Sequence, residues 1–332
     1  MERITFLGCG SWGGALGNLL SKKEFDVTMW HRNPQVIDQL ENTRQHYLVH
    51  DLLFTENIQF TNDIGNAIVN ASIIVLALPS QKIRNLIFEN KNLFTNDHII
   101  VSVSKGIEID TLMTVSEVIN DVLKSISPKI VSLSGPSHAE EVILSYPTTL
   151  VAASKNVESA KKIQNLFATE MLRTYLNKDI KGVELGGAMK NVIAIAAGMC
   201  DGIGYGDNSK AALMTRGMSE ISKLGKAMGA KRKTFRGLSG YGDLIVTCLS
   251  KHSRNRRLGQ LIGEGKTLDE IVSNMDMIAE GISTAKSVHQ LSIKHNIEMP
   301  IHEGIYQVLF EEKDPRESVY ELMTRKLSEE KH

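Results

Sequence analysis

Three cysteines in 332 residues, Cys9, Cys200 and Cys248, stand far apart with neither C-x-x-C nor C-x-x-H spacing. Such a set argues against a disulfide framework and against a zinc site, so no metal is expected. Net charge is lacking as well, since 38 basic side chains face 38 acidic ones. The whole-molecule field that steers polyanions needs an uneven balance. Neither nucleic acid nor a membrane is therefore an expected partner, and any anionic ligand must be held by a local basic cluster. No apolar run approaches the ~20 residues that span a bilayer. The amino-terminal apolar run is of strand length and ends in glycine, unlike a cleavable leader. Together these absences lead to the expectation of a soluble, cytoplasmic protein in a reducing compartment.

What is present is ordinary globular composition, 42% hydrophobic and 23% charged, over a length greater than one core usually fills, so two domains are expected. The first half alternates short β-rich runs with helical stretches: Ile4–Leu7, Val27–Trp30, Ile73–Leu78, His98–Val103, Lys129–Ser134 and Thr149–Ser154, with Leu172–Leu176 as a last strand. These runs are apolar almost throughout, as strands buried on both faces of a mostly parallel sheet are. Asn33-Pro34 and Asn62-Asp63 read as helix starts. From about Val183 the texture turns to Ala, Met, Gly and Leu at helical spacing with only Pro300 and Pro315 to break it. Helices are expected near 184–201, 209–229, 255–264, 267–275, 283–296 and 302–312, with one more after Pro315. The expected class is α/β: a Rossmann-type doubly wound sheet over 1–181 followed by an all-α domain over 182–332.

Gly8-Cys9-Gly10-Ser11-Trp12-Gly13 is a G-x-G-x-x-G that directly follows an apolar strand and opens a helix. Gly8 allows the sharp turn, Gly10 leaves room for a pyrophosphate, and Gly13 lets helix and strand pack closely. The helix start then offers oriented N–H groups to the phosphates, with Ser11 and Trp12 at the ligand. Cys9 reads as a small packed residue. After the second strand, where an NAD site carries a carboxylate, the chain has His31-Arg32. A guanidinium there suits a 2′-phosphate, so NADPH is preferred over NADH, unless Arg32 is only a solvated charge.

In a doubly wound sheet, ligands collect beyond the carboxyl ends of the strands. Three such ends are polar: Pro79-Ser80-Gln81, Ser104-Lys105-Gly106 and Gly135-Pro136-Ser137-His138-Ala139-Glu140. Lys105 can hold a phosphate or carbonyl oxygen, although taken alone it could equally be a solvated charge. In the helical half, Lys190 and Asn191 stand in an otherwise apolar helix. Burying an ammonium is costly and favours the neutral amine that a general base requires, whereas a snorkelling lysine would simply reach the surface. Asp243 follows a glycine-rich stretch, and Ser253-Arg254-Asn255-Arg256-Arg257 reads as the basic cluster that zero net charge makes necessary, although Arg256 and Arg257 could equally be ordinary surface charges.

With those segments in this order, joined by Gly187-Ala188-Met189-Lys190-Asn191, Gly240-Tyr241-Gly242-Asp243-Leu244 and Glu280-Gly281, the chain resembles the bacterial-type NAD(P)-dependent glycerol-3-phosphate dehydrogenases over nearly its full length. The resemblance implies reversible hydride transfer between NAD(P)H and dihydroxyacetone phosphate. Its product, sn-glycerol 3-phosphate, would feed phospholipid synthesis. It makes Lys190 the proton acceptor, with Lys105 and Asp243 beside it in the catalytic set. Lys105, Gly135, Ser137, Lys190, Asp243, Ser253, Arg254 and Asn255 are implied to contact the substrate. Around the dinucleotide it sets Ser11, Trp12, Arg32, Lys105, Ala139, Arg254, Ile278 and Glu280, in addition to the glycines and His31. Two other readings remain open: a related β-hydroxyacid or sugar-acid phosphate dehydrogenase, which shares the helix-borne Lys-Asn pair, and a non-catalytic NAD(P)-sensing module. A homodimer is expected on general grounds.

Overall fold

The structure, a computed structural model, describes residues 2–275, 277, 279–327 and 329–330. The chain divides into two compact units, Met1–Lys105 with Met113–Ile180, and Gly106–Leu112 with Lys181–His332. Chain order alone assigns Gly106–Leu112 to the first unit, but Ile107 is fully buried in the apolar core of the second, and its carbonyl accepts the Ser287 hydroxyl.

The first unit is built on eight strands: β1 (Arg3–Leu7), β2 (Asp26–Trp30), β3 (Gln59–Thr61), β4 (Ile73–Leu76), β5 (Ile99–Ser102), β6 (Lys129–Ser134), β7 (Thr148–Ala153) and β8 (Leu172–Asn177). They form one sheet in the order β3-β2-β1-β4-β5-β6-β7-β8. All neighbours are parallel except β6 and β7, so β7 and β8 run against the rest. The helices are α1 (Ser11–Lys22), α2 (Pro34–Thr43), α3 (Ile64–Val69), α4 (Ile83–Glu89), α5 (Val115–Val122), α6 (Ala139–Ile143) and α7 (Val157–Phe167). Both anticipated helix starts hold for a local reason. Asn33 accepts the Gln35 N–H ahead of Pro34, and Asp63 accepts the Asn66 N–H, each satisfying a donor that the first turn leaves orphaned. Strand β3 escapes the sequence reading because three residues are too few to show alternation.

The second unit contains α8 (Ile180–Ile203), α9 (Asp207–Ala227), α10 (Arg232–Phe235), α11 (Asp243–Leu249), α12 (Arg254–Gly263), α13 (Leu268–Ser273), α14 (Glu280–His295), α15 (Pro300–Phe310) and α16 (Pro315–Thr324). The expectation that no segment is long and apolar enough for a membrane fails for α8. Its 24 residues reach a mean hydropathy of 1.3 in their most apolar window, and that window is wholly buried in the protein. A helix apolar all round is a core helix when its every side is covered, and α8 is buried accordingly. Between α10 and α11 a widened turn, Leu238–Gly242, also went unanticipated. Its run of glycines obscures helical periodicity.

Candidate functional site

The glycine-rich turn is shaped by what its neighbours forbid. Gly8 sits at φ +106°, and a Cβ there would come within 2.5 Å of the Ala77 carbonyl oxygen. A Cβ at Gly13 would overlap the Gly8 carbonyl and approach Ala77 Cβ to 2.9 Å, whereas one at Gly10 would meet nothing within 4 Å. Two glycines thus permit close packing, and the third keeps a space clear. Gly10 is the N-cap of α1 and brings no side chain to the helix start, so an anion can take the place of a cap. The Trp12 indole N–H is buried and has no hydrogen-bond partner among the described residues. Arg32 is exposed beyond β2, and the His31 ring lies 5.7 Å from that of Tyr47. This open cradle, an uncapped helix start and an unused donor fit a dinucleotide. Cys9 is fully buried in the turn, its thiol pushed up to about 12 by burial, so it is a packed residue and not a reactive one.

At the carboxyl ends of β5 and β6 the fold gathers Lys105, Gly135 and Ser137. The Lys105 ammonium donates to the Gly135 carbonyl at 3.0 Å and lies 3.5 Å from Ser137 Oγ, which itself donates to Gly135 O at 2.9 Å. Gly135 is at φ +144°, where a side chain would crowd Thr149 O at 2.9 Å. Ala139 is buried as the first residue of α6.

In the second unit Lys190 is only 5% exposed and Asp243 1%. Lys190 Nζ is 2.7 Å from Asp243 Oδ1 and also donates to Thr247 Oγ1. Thr247 gives its own hydroxyl hydrogen to the Asp243 carbonyl at 2.6 Å, leaving its lone pairs toward the lysine. Sequence reading passed over Thr247. The available signal was its spacing, four residues after Asp243 on one helix face.

Ser253 is the N-cap of α12, its Oγ accepting the Arg256 N–H at 3.2 Å. Asn255 is buried, and its Oδ1 accepts the N–H of Gly281 at 2.9 Å. The cluster of three arginines needs correction. Arg256 Nε and Nη2 are held by Asp201 Oδ2 at 2.7 and 2.6 Å, while Lys210 takes the other carboxylate oxygen at 3.0 Å. Arg254 and Arg257 remain exposed. Glu280 opens α14, and Ile278 lies outside the described residues. Four glycines bring α8 and α12 together at backbone contact. Added Cβ atoms at Gly198 and Gly259 would overlap the carbonyl oxygens of Arg256 and Ile195, and one at Gly263 would come within 2.5 Å of Met199 O. The spacing Gly198-x₃-Gly202 with Gly259-x₃-Gly263 was a readable sign of this crossing. It binds the helix of Lys190 to the helix that begins with Arg254 and Asn255.

Residues 3–160 match the family described as NAD-dependent glycerol-3-phosphate dehydrogenase N-terminus, and residues 179–320 match its C-terminus. A glycerol-3-phosphate dehydrogenase [NAD(P)+] of Chlorobium phaeobacteroides is 48% identical over 331 residues, 99% of both chains. One of Thermoanaerobacter sp. is 47% identical over 330 residues, again 99% of both. Among solved structures, the glycerol-3-phosphate dehydrogenase of Coxiella burnetii superposes with a TM-score of 0.93 at 34% identity, covering 98% of this chain and 99% of that one. The glycine turn, the buried lysine pair and the full-length likeness agree, and the chain belongs to the NAD-dependent glycerol-3-phosphate dehydrogenase family.

Proposed function

We propose that this chain interconverts sn-glycerol 3-phosphate and dihydroxyacetone phosphate, with Lys190 moving the proton at the C2 oxygen. The observation that carries the proposal is the water-poor constellation of Lys190, Asp243 and Thr247. Bound NAD(P) supplies the hydride acceptor for oxidation and the hydride donor for reduction. In the oxidative direction Lys190, paired with Asp243 in the resting site, first releases its proton to solvent; the amine then takes the C2 hydroxyl proton as the C2 hydride departs, restoring the ammonium that Asp243 stabilises. Thr247 accepts one N–H and so fixes where the remaining lone pair points. In reduction Lys190 returns the proton to the forming alkoxide.

Arg254, the Asn255 Nδ2 amino group and the start of α12 hold the phosphate, using binding energy remote from the reacting carbon to orient it. Lys105, steadied by Gly135 and Ser137, supplies a second cation for substrate oxygens. Gly8–Gly13, Trp12, His31, Ala139 and Glu280 serve the dinucleotide, and exposed Arg32 favours NADPH by meeting its 2′-phosphate. Three buried, unpaired thiols are in keeping with a cytoplasmic protein feeding phospholipid synthesis, and a homodimer is the assembly we expect.

The test is absorbance at the nicotinamide band with dihydroxyacetone phosphate and each reduced cofactor in turn. Oxidation of NADPH faster than NADH, with no turnover of unphosphorylated dihydroxyacetone, is expected. A chain that binds either cofactor but turns over only β-hydroxyacids, or nothing, refutes the proposal.

A further inference from the structure

After α2 the chain sends one side chain back beneath the glycine-rich turn. His46 is 1% exposed. Its Nδ1 accepts the N–H groups of Leu48 and Val49 at 3.0 and 3.1 Å, so the ring proton sits on Nε2, which donates to the Cys9 carbonyl at 2.9 Å. The ring stacks on Tyr47 with centroids 4.8 Å apart, and a Cβ at Gly14 would approach its Cδ2 to 2.7 Å. Gly14 is therefore what lets the imidazole lie against the first turn of α1.

Cys9 O belongs to the peptide that joins Cys9 to Gly10. In a planar trans peptide the C=O and N–H point in opposite directions. A carbonyl tied to His46 consequently turns the Gly10 N–H the opposite way, away from the imidazole, in a turn where a Cβ on Gly10 would meet nothing within 4 Å. We propose that His46 is a positioning residue for the dinucleotide: it locks the Cys9–Gly10 peptide so that an N–H, and not a carbonyl oxygen, faces the pyrophosphate. This rests on the reading of Gly8–Gly13 as the dinucleotide turn. Without the lock the peptide can rotate and set a carbonyl against phosphate oxygens.

Two substitutions separate the two ends of the ring. In His46→Asn the Oδ1 stands near the place of Nδ1 and keeps the Leu48 and Val49 contacts, but nothing donates to Cys9 O. In His46→Gln the longer amide reaches that carbonyl. Dissociation constants for NADPH and NADH are read from quenching of the fluorescence of Trp12 and Trp30, alongside melting temperature and steady-state kinetics. Loss of one hydrogen bond at the turn corresponds to about a tenfold change. His46→Asn is expected to weaken both dinucleotides about tenfold, with kcat at saturating cofactor and KM for dihydroxyacetone phosphate within about twofold of wild type. His46→Gln is expected to stay within about threefold. Wild-type affinity in His46→Asn overturns the proposal, as does equal weakening in both variants with a common fall in melting temperature, which is the signature of packing alone. A wild-type chain that quenches with neither dinucleotide overturns the cofactor reading and this proposal with it.

Discussion

Replacing Lys190 by Met removes the charge from a pair whose side chains are 6% and 1% exposed. The Asp243 carboxylate then stays in place without its cation. Breaking a buried ion pair from one side costs about 3–5 kcal/mol, because the remaining charge is left desolvated. At about 2–4 °C per kcal/mol for a unit of this size, the melting temperature should fall by roughly 6–20 °C. The double variant Lys190→Met/Asp243→Leu fills the same space with apolar groups, and such exchanges are commonly neutral or stabilising. It should melt at or above the wild-type temperature while losing a factor of about 10²–10⁴ in kcat, the usual contribution of a positioned acid–base. The assays are thermal unfolding by circular dichroism and turnover at the nicotinamide band. Two results would refute the reasoning: a single variant as stable as wild type, or a double variant that is stable and turns over within tenfold of wild type. The comparison matters because a buried ion pair does little for stability against an apolar alternative, so its presence is accounted for by chemistry.

Gly259→Ala drives a methyl group into the Ile195 carbonyl. The forced separation of α8 and α12 should cost about 1–3 kcal/mol or more and raise KM for glycerol 3-phosphate while leaving KM for the cofactor unchanged; equal melting and equal KM values would count against the crossing as a determinant of the phosphate site. Arg254→Ala should raise KM for the phosphorylated substrate more than it lowers kcat, whereas unchanged rejection of unphosphorylated analogues would remove Arg254 from the phosphate contacts. His31, His46 and His98 are all held below the usual imidazole value by burial. The unfolded chain then takes up protons first, so this part of the stability is complete above about pH 6.5 and is lost as pH falls toward the folded values. Urea midpoints at pH 7.5 and 5.5 check the sign, and His46→Gln should lessen the loss; a midpoint that rises on acidification contradicts it.

Much of the candidate site was legible because the residues proposed for it stand out locally. A glycine turn needs its strand and helix in sequence, and Lys190 is conspicuous in an apolar helix. The helix starts at Asn33 and Asp63 are equally local, since a cap bonds within three residues. Elsewhere the chain gave little sign. Arg256 looks like Arg254 in sequence, yet Asp201, 55 residues earlier, claims it. Thr247 looks like any helical threonine until Lys190, 57 residues away, donates to it.

By itself, then, the sequence determined where strands and helices alternate and which turn must be glycine. Those properties follow from short-range sterics and from the period of the apolar pattern. Only the tertiary structure decided that β7 reverses against β6, that Gly106–Leu112 joins the second unit, and that His46 reaches the Cys9 carbonyl across 37 residues. Each of these is a contact between segments distant in the chain, selected by how buried surfaces and hydrogen-bonding groups satisfy one another once packed, and no window of neighbouring residues records it.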